Sequence, residues 1–104
     1  MRHEQEYTVD MTIEQLKVFI MTEKLNSFSE AAHESFISQS TLSKQIKSLE
    51  RELGFKLFDR TTRKIKMTRA GEIFSKYAHS IVNEYNLMMQ EMKLYQTLMT
   101  LNLS

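Results

Sequence analysis

The 104-residue chain contains no cysteine and no proline, and its only glycines are Gly54 and Gly71. Without cysteine the protein can form neither disulfides nor thiolate metal sites, and its composition suits a reducing compartment. No apolar run approaches the roughly 18 residues of a membrane-spanning helix. The first ten residues also lack the apolar core of a signal peptide, so we expect a cytoplasmic protein.

Acidic residues are scarce in one part of the chain, although the formal net charge is only +1. Residues 38–69 hold nine Lys or Arg residues against three acids, which gives this segment a formal charge of +6. The rest of the chain has five basic and ten acidic residues, which give it a formal charge of −5. A concentrated positive segment in a near-neutral protein predicts a surface that faces a polyanion.

A predicted helix over residues 38–52 lies within the basic segment. Its apolar residues recur at steps of four, three and four, which makes one narrow stripe of Leu42, Ile46, Leu49 and Leu53. The opposite face holds short polar groups and flexible cations, namely Gln39, Ser40, Thr41, Ser43, Lys44 and Lys47. Ser38 is a suitable N-cap, and the exposed helix start favours a phosphate. This face suits DNA phosphates and base edges, but an ordinary surface helix with a core stripe is the alternative.

Two further helices are predicted before this one. The first follows a Thr12 cap, and the second is a short helix to about Ser35 with Ser29 as its cap. Residues 36–37 form a tight link between the second helix and the third. Two short helices joined in this way, with a polar outer face on the last, are typical of a helix-turn-helix, here over about residues 28–47.

A small two-stranded wing is predicted after Gly54, which suits the left-handed end of a helix. Two short apolar segments provide its strands, Leu57 with Phe58 and Ile65 with Met67. Residues 61–64 between them form a polar tip, and its cations Arg63 and Lys64 could reach a neighbouring minor groove. A basic hairpin that serves only solubility is the alternative.

The last predicted element is a long helix over residues 69–97. Apolar residues recur in it at alternating steps of four and three, which makes a heptad seam of Phe74, Ala78, Ile81, Tyr85, Met88, Met92 and Tyr95. A second apolar set contains Ile73, Tyr77, Val82, Leu87, Met89 and Leu94. One stripe can rest on the small domain and the other needs a partner, so we predict a homodimer. The alternative is that both stripes fold back on the same domain.

Together these elements predict a mainly α fold. A winged helix-turn-helix of three helices and a small two-stranded wing occupies residues 11–68, and a long dimerisation helix follows it. Residues 1–10 are expected to form a flexible N-terminal extension. Residues 98–104 are expected to form an apolar tail that leads toward an effector domain or pairs with another chain.

Many positions resemble, at fixed spacing, the DNA-binding region of LysR-type transcriptional regulators. The match covers about residues 11–71 and includes Ser27-Phe28-Ser29-x-Ala31-Ala32, Ile37-Ser38-Gln39-Ser40-x-Leu42-Ser43-Lys44-Gln45-Ile46 and Leu49-Glu50-x-x-Leu53-Gly54-x-x-Leu57-Phe58-x-Arg60. The resemblance implies a transcription factor that binds an inverted-repeat operator in double-stranded DNA as a dimer. It also implies major-groove contacts near Gln39, Ser40, Ser43 and Lys44, a minor-groove contact by Arg63, and backbone contacts by Arg60 and Thr41.

Two positions depart from the family's pattern. Ser40 replaces a common proline, which removes a stiff residue from the first helical turn. Ser35 stands where an apolar residue is usual, so weaker packing is expected under the turn. Family members usually carry a C-terminal effector-binding domain, and a longer form with such a domain could assemble as a tetramer. No part of the 104 residues resembles that domain, so we assign no effector ligand and no cofactor.

Two other classes of protein are considered against this interpretation. An enzyme is disfavoured because His3, His33 and His79 form no paired motif and no Gly-rich phosphate loop is present, so we expect neither a catalytic residue nor a metal site. A protein-interaction module is the second alternative, since Met-rich helices pack adaptably. A charge of +6 on residues 38–69 argues against interaction as the sole role.

Overall fold

The computed structural model describes residues 10–61 and 64–103. In chain order its elements are helix α1 (Ile13–Leu25), helix α2 (Phe28–Glu34), helix α3 (Gln39–Leu53), strand β1 (Phe58–Asp59), strand β2 (Lys66–Met67) and helix α4 (Arg69–Leu103). The predicted fold class, three helices with a small wing and a long final helix, is confirmed. Most of the predicted N-terminal extension lies outside the described residues. In the part of the chain that is described, no helix is both long and apolar enough to cross a membrane.

Side-chain caps explain where the first two helices begin. Thr12 is the cap of α1, as predicted, and it forms a capping box with Gln15 through hydrogen bonds of 3.1 and 3.0 Å. Helix α2 begins earlier than predicted, because Ser27 and not Ser29 is its cap. The Ser27 hydroxyl accepts a hydrogen bond from the backbone N–H of Glu30 at 3.0 Å. Ser29 is therefore inside the first turn of α2.

The core lies where the three short helices meet the wing and the start of α4. It consists of Leu16, Val18, Phe19, Ala31, Ala32, Leu42, Ile46, Leu49, Leu57, Phe58 and Ala78. Phe19 is central, since its ring centroid lies 5.2 Å from that of Phe58 and 5.0 Å, edge to face, from that of Phe74. One aromatic side chain of α1 thus contacts both the first strand of the wing and α4.

The wing is a short antiparallel ribbon in which Phe58 pairs with Met67 and Asp59 with Lys66. At its tip the Asp59 carboxylate accepts hydrogen bonds from the backbone N–H of Thr61 at 3.0 Å and from its hydroxyl at 2.7 Å. These two bonds, the backbone one first, hold the pKa of Asp59 below its ordinary value. Thr62 and Arg63 lie outside the described residues.

Helix α4 is longer than predicted, because it continues to Leu103 and does not end at residue 97. No proline or glycine follows Gly71 to interrupt it. The hydroxyls of Thr97 and Thr100 are accommodated within the helix by hydrogen bonds of 3.0 and 2.9 Å to carbonyls one turn earlier. Its first half packs on the domain. Residues 86–102 are all exposed, so the second half projects from the domain.

The turn between α2 and α3 holds Phe36 in the left-handed region, with φ of 58°. The N–H of Ile37 bonds to the carbonyl of Ala32 at 3.1 Å, and that of Phe36 bonds to the carbonyl of His33 at 3.2 Å. This is a Schellman end, which usually has glycine or asparagine at the left-handed position. The Phe36 side chain is 93% exposed, so the strained residue gains little from packing.

Replacing Phe36 with asparagine is expected to raise the free energy of unfolding by about 0.5–1 kcal/mol. Asparagine adopts the left-handed conformation at lower cost than a bulky residue, and an exposed ring loses little burial. Urea denaturation followed by circular dichroism measures the change. A loss of stability would show instead that the ring has contacts that matter to the fold.

Candidate nucleic-acid interface

The orientation of α3 is fixed by its buried apolar stripe. Leu42, Ile46 and Leu49 are each fully buried, so the face opposite them points to solvent. That outer face presents five exposed side chains, Gln39, Ser40, Thr41, Lys44 and Lys47, and a half-buried Ser43. The structure therefore brings together, on one exposed helix face, the residues predicted to contact DNA from this segment.

The N-terminal turn of α3 is organised by hydroxyl groups. Ser38 accepts a hydrogen bond from the backbone N–H of Thr41 at 3.0 Å and donates its own proton to the Thr41 hydroxyl at 2.9 Å. The Ser40 hydroxyl lies 3.3 Å from that of Ser38. Ser38 and Thr41 thus stabilise the helix start, whose free N–H groups carry partial positive charge. Gln39 and Lys44 are the exposed side chains with the longest reach from this end.

Glu50 ties the other end of α3 to the wing, a role that sequence reasoning missed. Only 6% of the residue is exposed, and its carboxylate accepts hydrogen bonds from the N–H groups of Leu57 at 2.8 Å and Phe58 at 3.4 Å. The chain reverses at Gly54, which has φ of 80°, and so returns along α3 to these contacts. The sequence places two acids, Glu50 and Glu52, shortly before the glycine turn, and it does not show which of them is buried.

Arg60 follows the first strand of the wing, but its side chain packs against α2 and α3 and does not extend freely into solvent. Its guanidinium stands 4.5 Å from the Phe28 ring centroid, and one of its nitrogens lies 3.7 Å from a Glu50 oxygen. The side chain is 29% exposed. These contacts connect the wing to α2 and α3, and the backbone contact predicted for Arg60 stays a prediction.

The remaining predicted DNA contacts lie on the wing. Lys64 is exposed, and Lys66 on β2 is exposed beside it. Lys56, before the first strand, is also exposed and lies 3.9 Å from Glu50. Arg63, the predicted minor-groove residue, lies outside the described residues.

Helix α4 is docked on α1 through polar contacts as well as through the core. The Ser75 hydroxyl is hydrogen-bonded to the Glu23 carboxylate, at 2.8 and 2.9 Å from its two oxygens, and His79 Nε2 lies 3.2 Å from the same group. Farther along, the Lys17 amine stands 5.3 Å from the Tyr85 ring centroid. The first half of α4 is thus fixed relative to the helix-turn-helix.

The predicted dimerisation seam divides into two parts. Ala78 is 1% exposed and Phe74 packs on Phe19, so both contact the chain's own domain, and Tyr85 is half-buried. The other four seam residues are between 47% and 59% exposed, namely Ile81, Met88, Met92 and Tyr95. Only this second part offers a surface to a partner, and the dimer contact itself stays a prediction.

No group of three or more His, Asp or Glu side chains in residues 10–61 and 64–103 is arranged to hold a metal ion.

Known proteins are similar in sequence to this chain. A family model described as bacterial regulatory helix-turn-helix protein, lysR family, matches residues 13–72. A probable RuBisCO transcriptional regulator of Cyanidioschyzon merolae is 45% identical over 71 residues, which cover 68% of this chain and 23% of the relative. The regulator TfdT of Cupriavidus pinatubonensis is 45% identical over 64 residues, 62% of this chain and 28% of the relative. The chain thus spans about a quarter of the length of these curated relatives.

Solved structures share its fold. The BenM DNA-binding domain in complex with catB site 1 DNA superposes with a TM-score of 0.78 at 34% identity, over 82% of this chain and 96% of that one. DarR of Vibrio fischeri in complex with DNA gives a TM-score of 0.81 at 27% identity, over 86% of this chain and 31% of that one. The match over residues 13–72 includes all of α3 and the wing, so this chain belongs to the LysR family of bacterial regulatory helix-turn-helix proteins.

Proposed function

We propose that this chain is the DNA-binding region of a transcriptional regulator that binds an inverted-repeat operator as a homodimer. The observation that carries the proposal is the outer face of α3, where polar and cationic side chains stand opposite a fully buried stripe. A helix held in this way can enter the major groove with its N-terminal residues against base edges. Because its partner is DNA, the protein is expected to act in the cytoplasm, and we assign it no catalytic role.

The proposed contacts fall into two groups. Gln39, Ser40, Ser43 and Lys44 lie toward the start of α3 and would contact base edges, where each good contact supplies about 1–3 kcal/mol of discrimination. The other group would contact the DNA backbone or the minor groove, and comprises Ser38, Thr41, Lys47, Arg60, Arg63 and Lys64. Support comes from BenM and DarR, which have the same fold and are both seen in complex with DNA.

The proposed dimer forms through α4, and the domain boundaries follow from that role. Residues 11–68 would form the DNA-binding domain, and α4 would be the dimerisation helix. Support comes from the exposed Ile81, Met88, Met92 and Tyr95, since a contiguous apolar surface marks an interaction site. A two-fold dimer would place two copies of α3 on two half-sites of one operator.

Fluorescence anisotropy over a series of salt concentrations tests the DNA-binding proposal. One duplex is taken from the region upstream of the protein's own gene, and the second is a scrambled copy. Tighter binding to the first duplex, with a steep salt dependence on both, is the expected result. Absence of binding to either duplex at low salt would overturn the proposal and favour a helical interaction module that uses the exposed face of α4.

Replacing Lys44 with alanine is expected to weaken binding to the specific duplex about tenfold or more, because a base contact and a cation are lost together. The matched control is Lys93→Ala, which removes the same charge from the projecting half of α4. Anisotropy titrations of both variants should show less than about a twofold loss for the control. Equal losses in the two variants would assign Lys44 a general electrostatic effect only.

A further inference from the structure

Phe36, in the turn between α2 and α3, combines two features that are rarely found together. Its ring is 93% exposed, and its backbone lies in the left-handed region with φ of 58°. Either feature alone is ordinary, since single apolar side chains are common on protein surfaces and glycine or asparagine often occupies a left-handed turn. A bulky side chain at positive φ is an outlier, and this ring gains no burial that offsets the strain.

The ring also stands apart from the other exposed apolar side chains. No second large apolar side chain is exposed on α1, α2 or α3, all three of which the structure describes in full. The exposed residues that follow Phe36 most closely are polar, namely Ser38, Gln39 and Ser40. A contact with another protein usually needs a contiguous apolar patch, so a single ring beside hydroxyl and amide groups suits a different partner.

The turn places Phe36 at the end of α3 that is proposed to enter the major groove. The Cα atoms of Phe36 and Ser38 are at most about 7 Å apart, because each residue spans no more than roughly 3.6 Å. Base pairs follow one another at about 3.4 Å, so this distance corresponds to about two base pairs. Ile37, between the two residues, packs against the core and fixes the turn relative to α3. The ring would therefore lie beside the base pairs that Gln39 is proposed to contact.

We infer that Phe36 contacts the C5-methyl group of a thymine at the edge of each half-site. The inference rests on the proposed function and adds a base contact to it. A phenyl ring has no hydrogen-bonding group, so it cannot bind a phosphate or the polar edge of a base. The thymine methyl is the apolar group that DNA exposes in the major groove, and phenylalanine is one of the side chains that contact it.

The strain at Phe36 supports a role in binding. Backbone strain that packing does not offset is concentrated at binding sites and switch regions. Phe36→Asn is expected to stabilise the fold, and by this inference it should also weaken DNA binding. A variant that is more stable but binds less tightly cannot owe its loss to unfolding, so the two measurements together isolate the contact.

Selection from a pool of random duplexes tests the inference without knowledge of the operator. The natural protein and Phe36→Asn are each used to select duplexes, and the selected sequences are aligned on their half-sites. We expect a thymine preference at one position of each half-site that is present for the natural protein and absent for the variant. Preferences at the positions contacted by Gln39 and Lys44 should be the same for both proteins, a result that a displaced α3 would not give.

Replacing the selected thymine with deoxyuridine removes only the methyl group. The natural protein should bind the deoxyuridine duplex about threefold to fivefold more weakly per half-site, which is the effect of one buried methyl group. Phe36→Asn should bind both duplexes equally, whereas Phe36→Leu retains an apolar side chain and should still prefer thymine. Phe55→Asn, the same change at a second exposed phenylalanine, should keep the full preference. The salt dependence of binding should be the same for Phe36→Asn as for the natural protein, because no phosphate contact is lost.

These results separate the inference from the proposed function. If the natural protein selects half-sites and Phe36→Asn selects the same ones with the same thymine preference, the function stands and the Phe36 contact is overturned. Equal binding of the thymine and deoxyuridine duplexes by the natural protein would overturn the contact as well. A protein that selects no duplex from the pool would lose both the function and the inference.

Discussion

Replacing Glu50 with alanine is expected to lower the free energy of unfolding by about 2–3 kcal/mol, because a buried, charged acceptor of backbone hydrogen bonds is lost. The substitution leaves the N–H groups of Leu57 and Phe58 without their buried acceptor. It also leaves the half-buried guanidinium of Arg60 without the carboxylate that lies 3.7 Å away. Urea denaturation followed by circular dichroism at constant pH measures the loss.

Two comparisons make this result specific to the buried carboxylate. Glu50→Gln retains an amide oxygen that can accept one of the two backbone bonds, so it should cost less than the alanine variant. Glu34→Ala changes an exposed acid at the end of α2 and should stay within about 0.5 kcal/mol of the natural protein. If Glu50→Ala lost no more stability than Glu34→Ala, the link between α3 and the wing would not depend on this side chain.

Replacing Gly71 with alanine is expected to cost about 3 kcal/mol, although alanine is the better helix former by about 1 kcal/mol. Gly71 lies in the first turn of α4, and a Cβ atom there would overlap the backbone carbonyl of Leu57. A carbonyl that is fixed by the wing cannot move aside as the end of a flexible side chain can. The N–H of Thr68 donates to that same carbonyl at 3.0 Å, which holds it in place.

The second glycine of the chain is the natural control for Gly71. Gly54 has open space around it and a left-handed φ of 80°, so Gly54→Ala should cost only about 1–2 kcal/mol of backbone strain. Thermal and urea unfolding of both variants distinguish the two causes. If the Gly71→Ala protein were as stable as the natural one, α4 could move away from Leu57 without loss of stability.

The local part of the fold is predictable from sequence, because its causes lie within a few residues. The stripe of Leu42, Ile46 and Leu49 sets the orientation of α3 and therefore its outer face. The caps Thr12 and Ser38 and the turn at Gly54 also follow from local chemistry. The predicted cap of α2, Ser29, is wrong, and the extended backbone that makes Ser27 the cap is visible only in the structure.

The contacts between distant residues could not be predicted from periodicity. The helical pattern shows that Phe74 and Ala78 lie on an apolar stripe. It does not show whether the chain's own domain or a partner covers that stripe. Glu50 becomes a buried acceptor only because the chain returns toward it after Gly54. Gly71 is closely packed only because the backbone of Leu57 lies beside it. Each depends on tertiary contact, so each required the structure.

The docking of α4 on α1 has a consequence for the spacing of half-sites in the proposed dimer. A continuous helix of 35 residues is about 50 Å long, so a tilt of one degree at its root displaces its far end by nearly 1 Å. The Glu23–Ser75 bond and the Phe19–Phe74 contact lie close to that root. Substitutions there would change the distance between the two copies of α3 without altering any residue that is proposed to contact DNA. They would therefore change the half-site spacing that the proposed dimer binds best.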